Sequence, residues 1–118
     1  METRRPWVSV VETTAYLAKA AKVLSENEQR LVSNMVGADP TVGEVMVGTG
    51  GVRKVRFALE GRGKSGGARI VYFFHNETMP VFLLTVFAKK EKDNLSAAER
   101  NALKKYCTQT VKDFTKKG

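Results

Sequence analysis

The residues whose types and spacing could do chemistry in this chain are cations, and they are concentrated in residues 53–69. That stretch has one acidic residue, Glu60, and six basic ones: Arg53, Lys54, Arg56, Arg62, Lys64 and Arg69. Arginine and lysine side chains bind phosphate oxygens and stabilise negative charge that develops during a reaction. The stretch therefore predicts a site for a phosphate-containing polyanion.

Two predicted strands would position these cations. Side chains alternate between the two faces of a strand, so Lys54 and Arg56 share one face of the strand predicted at 52–59. Arg69 lies on the strand predicted at 68–75, and if the strands pair, the three side chains can meet over one patch. Like charges opposite one another weaken a sheet. We therefore expect that an anion binds to this patch.

The loop between the two strands, GRGKSG at 61–66, matches the glycine pattern of dinucleotide-binding sites. Such a site requires a helix after the loop, whereas here a strand follows. A P-loop is excluded for the same reason, and Ala58 replaces its first glycine. We interpret 61–66 as a flexible basic loop that can hold phosphates. The alternative is an ordinary hairpin loop that its charges keep soluble.

The other reactive residue types give little support to a different chemistry. His75 is the single histidine, and Cys107, the single cysteine, lies on an apolar stripe that is typical of a core position. No spacing of Cys and His resembles a zinc site, and no pair of acidic residues is suited to Mg²⁺. We expect a reaction that needs neither a metal nor a cofactor.

Helical patterns surround the predicted strands. Thr13 or Thr14 can cap a first helix, and the Ser25–Glu28 capping box begins a second, so that the two form a hairpin. A further capping box at Ser96–Glu99 begins a C-terminal helix whose predicted apolar stripe is Leu103, Tyr106, Cys107, Thr110 and Phe114. The predicted strands lie at 7–12, 52–59, 68–75 and 80–89, and the last of them is apolar on both faces. The glycine-rich stretch 37–51 is interpreted as a connecting loop. The predicted fold is therefore α+β, with a small antiparallel or mixed sheet of about four strands, in a single domain over residues 1–118.

The charge is distributed unevenly along the chain. The formal net charge is +8, of which residues 1–50 contribute −1 and residues 51–118 contribute +9. This asymmetry predicts a polyanionic partner, nucleic acid first and an anionic membrane surface or acidic protein second, although it could also be a solvated basic surface. We expect no membrane span and no secretion signal, and the single cysteine fits a reducing cytosol.

Three segments together resemble a known family. GTGGVRKVRF, GRGKSGGARIVYFF and VFLLTVFAKKEKDNLS, in this order and spacing, are similar to the RelE/ParE superfamily of bacterial toxins, and most similar to its HigB-like branch. The resemblance covers roughly residues 8–115. It implies a RelE-like fold and a cytoplasmic, ribosome-dependent mRNA endonuclease, or mRNA interferase, that inhibits translation. It also implies neutralisation by a cognate helix-turn-helix antitoxin.

The resemblance also implies which residues form the site. By position, the catalytic cations of the family fall on Lys54, Arg56, Arg69 and Lys90. The two arginines would bind the non-bridging phosphate oxygens, Lys54 is the candidate proton acceptor, and Lys90 would neutralise the leaving oxygen. The family's tyrosine falls near Leu95-Ser96, where this chain has no aromatic residue. The residues expected to contact mRNA or ribosomal RNA are Arg53, Arg62, Lys64, Lys89 and Lys92.

Two other functions remain open at this point. Relatives of the ParE type share the architecture and poison DNA gyrase without catalysis, but they generally lack the basic catalytic set. A basic RNA-binding module without catalytic activity is the second alternative.

Overall fold

The computed structural model describes residues 8–60, 67–92 and 94–116. They form five strands and three helices around one mixed sheet. The strands are β1 (Val10–Glu12), β2 (Glu44–Val45), β3 (Val52–Phe57), β4 (Ala68–Phe73) and β5 (Val81–Ala88). The helices are α1 (Thr14–Val23), α2 (Glu26–Ala38) and α3 (Ala97–Lys116).

The sheet has the order β1-β5-β4-β3-β2, with β4 at its centre. The pairs β2–β3, β3–β4 and β4–β5 are antiparallel, whereas β1 runs parallel to β5. The strand β5 is apolar on both faces, and both β4 and β5 are almost entirely buried, as expected for strands that are covered from both sides. The continuous apolar run at 81–88 had predicted this environment.

Each helix begins at a polar cap that the sequence had predicted. The Thr13 hydroxyl accepts a hydrogen bond from the Tyr16 N–H and donates one of 2.7 Å to the carbonyl of Leu83 in β5. The capping box of α2 is complete, because Ser25 and Glu28 each bond the other's backbone N–H. These bonds satisfy donors that the first turn of a helix leaves free.

The two faces of the sheet carry separate apolar cores. The helices α1 and α2 cover one face, where Tyr16, Val32 and Ile70 are fully buried. The helix α3 covers part of the other face, where Val71 and Cys107 belong to the second core. Because α3 leaves part of its face uncovered, polar side chains of β3 and β4 can be reached from solvent there.

The α+β class is confirmed, while the predicted strand count was too low. The fifth strand, β2, lies in the glycine-rich stretch 37–51 that we had interpreted as a connecting loop. The predicted apolar stripe of α3 is also only partly correct, because Tyr106 and Phe114 are both more than two-fifths exposed. Among the described residues, no helix is both long enough and apolar enough to cross a membrane.

Candidate active site

Three of the predicted catalytic cations lie on the same face of the sheet. The pairing of β3 with β4 puts Arg56 directly opposite Arg69, and it pairs Lys54 with Val71. Partners in an antiparallel pair project to the same side, so Lys54, Arg56 and Arg69 all lie on the face that α3 covers in part. The register thus brings together the three side chains that strand alternation had grouped.

These three cations line an open cleft of about 400 Å³. Its described lining residues are Val42, Glu44, Lys54, Val55, Arg56 and Arg69. The Arg69 side chain is buried, with 6% of its surface exposed, whereas Arg56 is exposed and Lys54 is partly buried. One charge therefore lies deep in the sheet and two lie nearer to solvent, which suits an anion that enters the cleft from outside.

A neutral side chain from another element contacts Lys54. The Lys54 ammonium donates a hydrogen bond of 3.3 Å to the Oδ1 of Asn94, in the connection between β5 and α3. Asn94 precedes the two positions, Leu95-Ser96, where the family resemblance had placed a tyrosine. Sequence reasoning missed Asn94, because a lone asparagine in a polar connection carries no pattern that indicates a site.

Glu44 is the second residue of the cleft that sequence reasoning missed. It lies in β2 as the register partner of Lys54, so its carboxylate is on the cleft's face of the sheet. It is exposed, and it makes no hydrogen bond or ion pair with another described residue. The signal that could have found it is a strand assignment for 44–45, which the surrounding glycines concealed.

Arg53, which the sequence predicted to contact RNA, does not join these cations in the cleft. Arg53 precedes Lys54 by one residue in β3, so its side chain is on the opposite face of the strand. There its Nη1 donates a hydrogen bond of 2.7 Å to the carbonyl of Gly43. We therefore assign Arg53 a structural role, in holding the segment that leads into β2.

The buried Tyr72 hydroxyl holds the same segment. It donates a hydrogen bond of 2.7 Å to the Pro40 carbonyl and accepts one of 2.8 Å from the Gly43 N–H. Burial raises the pKa of Tyr72 above its ordinary value of 10.0, so the hydroxyl keeps its proton. A Cβ on Gly43 would lie 2.9 Å from the Lys54 carbonyl oxygen, which shows how closely β2 approaches β3. We call these contacts of Arg53, Tyr72, Pro40 and Gly43 the β2 latch.

The predicted lysines after β5 lie at the end of the sheet where β4 begins. Lys89 and Lys90 are exposed in a turn, and the Lys89 N–H donates a hydrogen bond of 2.9 Å to the Gly67 carbonyl. Because β4 begins at this point, the turn lies near the backbone of Arg69. No described contact brings the side chain of either lysine into the cleft. Arg62 and Lys64 lie outside the described residues.

Lys92 is held by contacts within the protein. Its ammonium lies 2.6 Å from the Glu99 carboxylate and 5.3 Å from the centre of the Phe87 ring. This hydrogen bond is the main reason that the pKa of Glu99 falls below its ordinary value of 4.5. Since Phe87 pairs with Arg69 across the sheet, Lys92 still adds positive charge on the cleft's side of the molecule.

Cys107 belongs to the core, as its position on an apolar stripe predicted. It is 2% exposed, and burial raises the pKa of its thiol to about 12. The thiol therefore stays protonated at neutral pH and is a poor nucleophile. His75 is exposed beside Phe73. Over the described residues, no group of three or more His, Cys, Asp or Glu is arranged to hold a metal ion.

One solved structure that this chain resembles is that of the E. coli toxin RelE, a double arginine-to-alanine mutant in the free state. The identity is 19%, the TM-score is 0.49, and the match covers 68% of this chain and 81% of that one. The family model for the RelE toxin of the RelE/RelB toxin–antitoxin system matches residues 10–117. Because that match takes in nearly all of the sequence, this chain belongs to the RelE toxin family.

Proposed function

We propose that this toxin is a ribosome-dependent mRNA endonuclease that cuts mRNA in the decoding site and thereby inhibits translation. The observation that carries the proposal is the convergence of Lys54, Arg56 and Arg69 on one cleft. Cations that converge on one concave surface, one of them buried, are suited to stabilise the charge that builds up on a phosphorane. Membership of the RelE family supports the same conclusion.

The proposed reaction uses the RNA's own 2′-hydroxyl as the nucleophile. Its oxygen attacks the adjacent phosphorus, and the fragment that leaves carries a 5′-hydroxyl. The toxin has to align the RNA backbone and stabilise the charge that builds up on the phosphorane. In this proposal the guanidinium groups of Arg56 and Arg69 bind the non-bridging oxygens, because their planar array of donors fits a phosphate group.

The remaining basic residues would bind RNA backbone outside the cleft. Lys90 would neutralise the leaving oxygen or hold the mRNA, and Lys89 and Lys92 would contact nearby phosphates. Arg62 and Lys64 would contact ribosomal RNA without base preference, since phosphate contacts carry no sequence information. To make such a contact, the Lys92 ammonium would have to exchange the Glu99 carboxylate for a phosphate.

The proposal includes a protein partner and a place of action. A cognate helix-turn-helix antitoxin would neutralise the toxin, and the toxin would act on ribosomes in the bacterial cytoplasm. The HigB-like branch is the part of the family to which we assign the chain. An adjacent reading frame that encodes a small helix-turn-helix protein would support the partner and the branch together.

Mapping the 5′ ends of mRNA after expression in bacteria tests the proposal. We expect cuts in phase with codons that vanish when translation is blocked. Arg69→Met keeps the aliphatic stem of the buried side chain but removes its charge, so we expect it to lower cleavage by about 10²-fold or more. The matched control is Arg30→Met, because Arg30 is exposed on α2 and bonds only its neighbour Asn27 among described residues.

The same expression experiment distinguishes the alternatives. Intact mRNA together with an SOS response would indicate a gyrase poison and would contradict the proposal. Intact mRNA without an SOS response would indicate a binding module. Full cleavage by the Arg69→Met variant would contradict the assignment of this residue to the phosphate site.

A further inference from the structure

A second cavity lies beside the C-terminal half of α3, on the same side of the sheet as the cleft. It has a volume of about 260 Å³ and lies between α3 and the turn 48–51 that precedes β3. We propose that it binds one unstacked base of a single-stranded RNA, either mRNA or ribosomal RNA. The class of partner rests on the proposed function, but the site itself requires no cleavage, so the two can fail separately.

The cavity has an apolar floor and a polar mouth. Phe73 and Cys107 belong to the floor and are 1% and 2% exposed, whereas His75, Thr108 and Lys112 are exposed at the mouth. A nucleobase has the same distribution of polarity, with apolar ring faces and polar edges. Pockets that enclose a whole drug-sized ligand have volumes of about 300–1,000 Å³. This cavity is smaller and therefore suits a single ring system.

His75 supplies a ring on which a base can stack. The centre of its imidazole ring lies 6.2 Å from the centre of the Phe73 ring, and the two planes are tilted by 30°. His75 makes no hydrogen bond or ion pair with another described residue, and its side chain is exposed. Proteins that bind single-stranded RNA stack unpaired bases on His as well as on Phe, Tyr and Trp.

The wall of the cavity opposite α3 is fixed before any ligand binds. The Thr49 hydroxyl is buried, donates a hydrogen bond of 2.6 Å to the Met46 carbonyl and accepts one of 3.1 Å from the Val52 N–H. Gly51 has a φ of +122°, and a Cβ there would lie 3.0 Å from the Phe73 ring. A site that is already formed loses little conformational entropy when it binds a ligand.

The charges around the cavity suit the phosphates that flank a base. Its described lining contains Lys112 and no acidic residue. Thr108 also borders a second hollow, on the outer surface of α3, that Lys104 and Lys105 line. Lysines bind phosphates without regard to sequence. An RNA backbone that follows these lysines therefore passes the mouth of the cavity.

The cavity is separate from the cleft. Phe73 follows Arg69 by four residues in β4 and lies on the same face, so the two are about 13 Å apart at about 3.3 Å per residue. The base bound there belongs to a different nucleotide from the one whose phosphate lies between Arg56 and Arg69. The site thus adds affinity and register to RNA binding, and none of its residues takes part in the reaction.

The test compares two probes that have the same backbone. One is a fluorescent oligouridylate with 2′-O-methyl groups, which the proposed reaction cannot cut, and the other is the same oligomer without bases. A surface that only attracts phosphates binds both equally, whereas a base site does not. We expect the full chain to bind the oligomer with bases at least about fivefold more tightly, as for one stacked base.

Two substitutions assign this preference to the His75 ring. His75→Leu keeps the bulk but removes the flat ring, so it should abolish the preference and leave the affinity for the oligomer without bases almost unchanged. His75→Phe keeps a flat ring and should keep the preference. The control is Tyr106→Leu, which removes an exposed ring of α3 that lines a different cavity. Thermal unfolding checks that each variant is folded.

Binding to ribosomes with and without mRNA identifies the source of the base. Weaker binding of His75→Leu to both would indicate ribosomal RNA, and weaker binding only when mRNA is present would indicate mRNA. Equal binding of His75→Leu and wild type in both states would overturn the site.

Three results with the oligomers would also overturn it. The first is wild-type toxin that binds both oligomers equally, a result that needs no variant to fold. The second is a preference that persists in His75→Leu, and the third is an equal loss of affinity for both oligomers in that variant, which would indicate a contact with the backbone. A preference that depends on His75 in a toxin that cuts no mRNA would contradict the proposed function alone.

Discussion

At the scale of single residues, the arrangement of charges in the cleft is unfavourable for folding but suits an anionic ligand. Arg56 and Arg69 are direct partners across β3 and β4, and Arg69 is buried. Like charges in this position destabilise a sheet, and a bound phosphate would relieve the repulsion. A cation in the place of Asn94 would repel Lys54 in the same way, whereas the neutral Asn94 side chain accepts a hydrogen bond from its ammonium.

Asn94→Ala is predicted to slow cleavage without affecting the fold. Asn94 is exposed, so its loss should leave the free energy of unfolding almost unchanged. The Lys54 ammonium would lose the acceptor that fixes its position, and because this hydrogen bond is exposed we expect the rate to fall by at most about tenfold. Cleavage on programmed ribosomes measures the effect. Asn101→Ala, on the exposed surface of α3, is the control, and equal rates for the two variants would contradict a role for Asn94.

Sequence patterns could predict some residues of this site and not others. Lys54, Arg56 and Arg69 follow from strand alternation, because a strand fixes which side chains share a face. Glu44 and Asn94 reach the cleft from elements whose position depends on tertiary contacts, so no local pattern indicates them. Alternation also puts Arg53 on the other face, but the density of positive charge around it led us to group it with the rest.

At the scale of elements, the cleft depends on a strand that has only two residues. Glu44–Val45 cannot be recognised from sequence, because the glycines around it are typical of a loop. Strands this short are not stable by themselves, and what holds this one is the β2 latch. The long apolar strands and the capped helices were predictable because their patterns are local, whereas β2 depends on a hydroxyl that lies 32 residues from Pro40 in the sequence.

Tyr72→Phe is predicted to loosen β2 and to reduce the stability of the protein. Without the hydroxyl, the Pro40 carbonyl and the Gly43 N–H would lose their partner, and an unsatisfied buried polar group costs about 1–3 kcal/mol. Chemical denaturation measures this loss. Because β2 borders the cleft beside Lys54, a looser β2 would disturb the cleft, and we also expect slower cleavage in Tyr72→Phe.

The control for this change is Tyr106→Phe, which removes a hydroxyl from an α3 side chain that is 44% exposed. It should change the free energy of unfolding by less than about 0.5 kcal/mol. If the two variants were equally stable, the latch would not hold β2 in the way that its hydrogen bonds suggest.

At the scale of the whole molecule, the two halves of the sequence correspond to the two faces of the sheet. The N-terminal half, with a net charge of −1, supplies α1 and α2, which cover one face. The C-terminal half, with a net charge of +9, supplies α3 and two of the three cleft strands. The composition could predict that a basic surface exists, but only the topology shows that α3 and the cleft lie on the same face. The proposed function then requires that this face approaches the ribosome.

Charge reversal on α3 is therefore predicted to weaken ribosome binding more than the same reversal on α1. The test variant is Lys104→Glu with Lys105→Glu, and the control is Lys19→Glu with Lys22→Glu; all four lysines are exposed. Each double substitution lowers the formal net charge by the same amount, so a nonspecific effect of net charge would affect both variants equally. A difference between them must come from which face binds RNA.

The measurement is the affinity for ribosomes at several salt concentrations. Each lost phosphate contact lowers the slope of log affinity against log salt by about 1, so the α3 variant should lose up to about 2 from that slope while the α1 variant keeps the wild-type value. The cleavage rate of bound toxin should stay the same in both, because neither pair of lysines lines the described cleft. Equal slopes for the two variants would show that the toxin does not approach the ribosome with its α3 face, and the orientation that follows from the cleft would then be wrong.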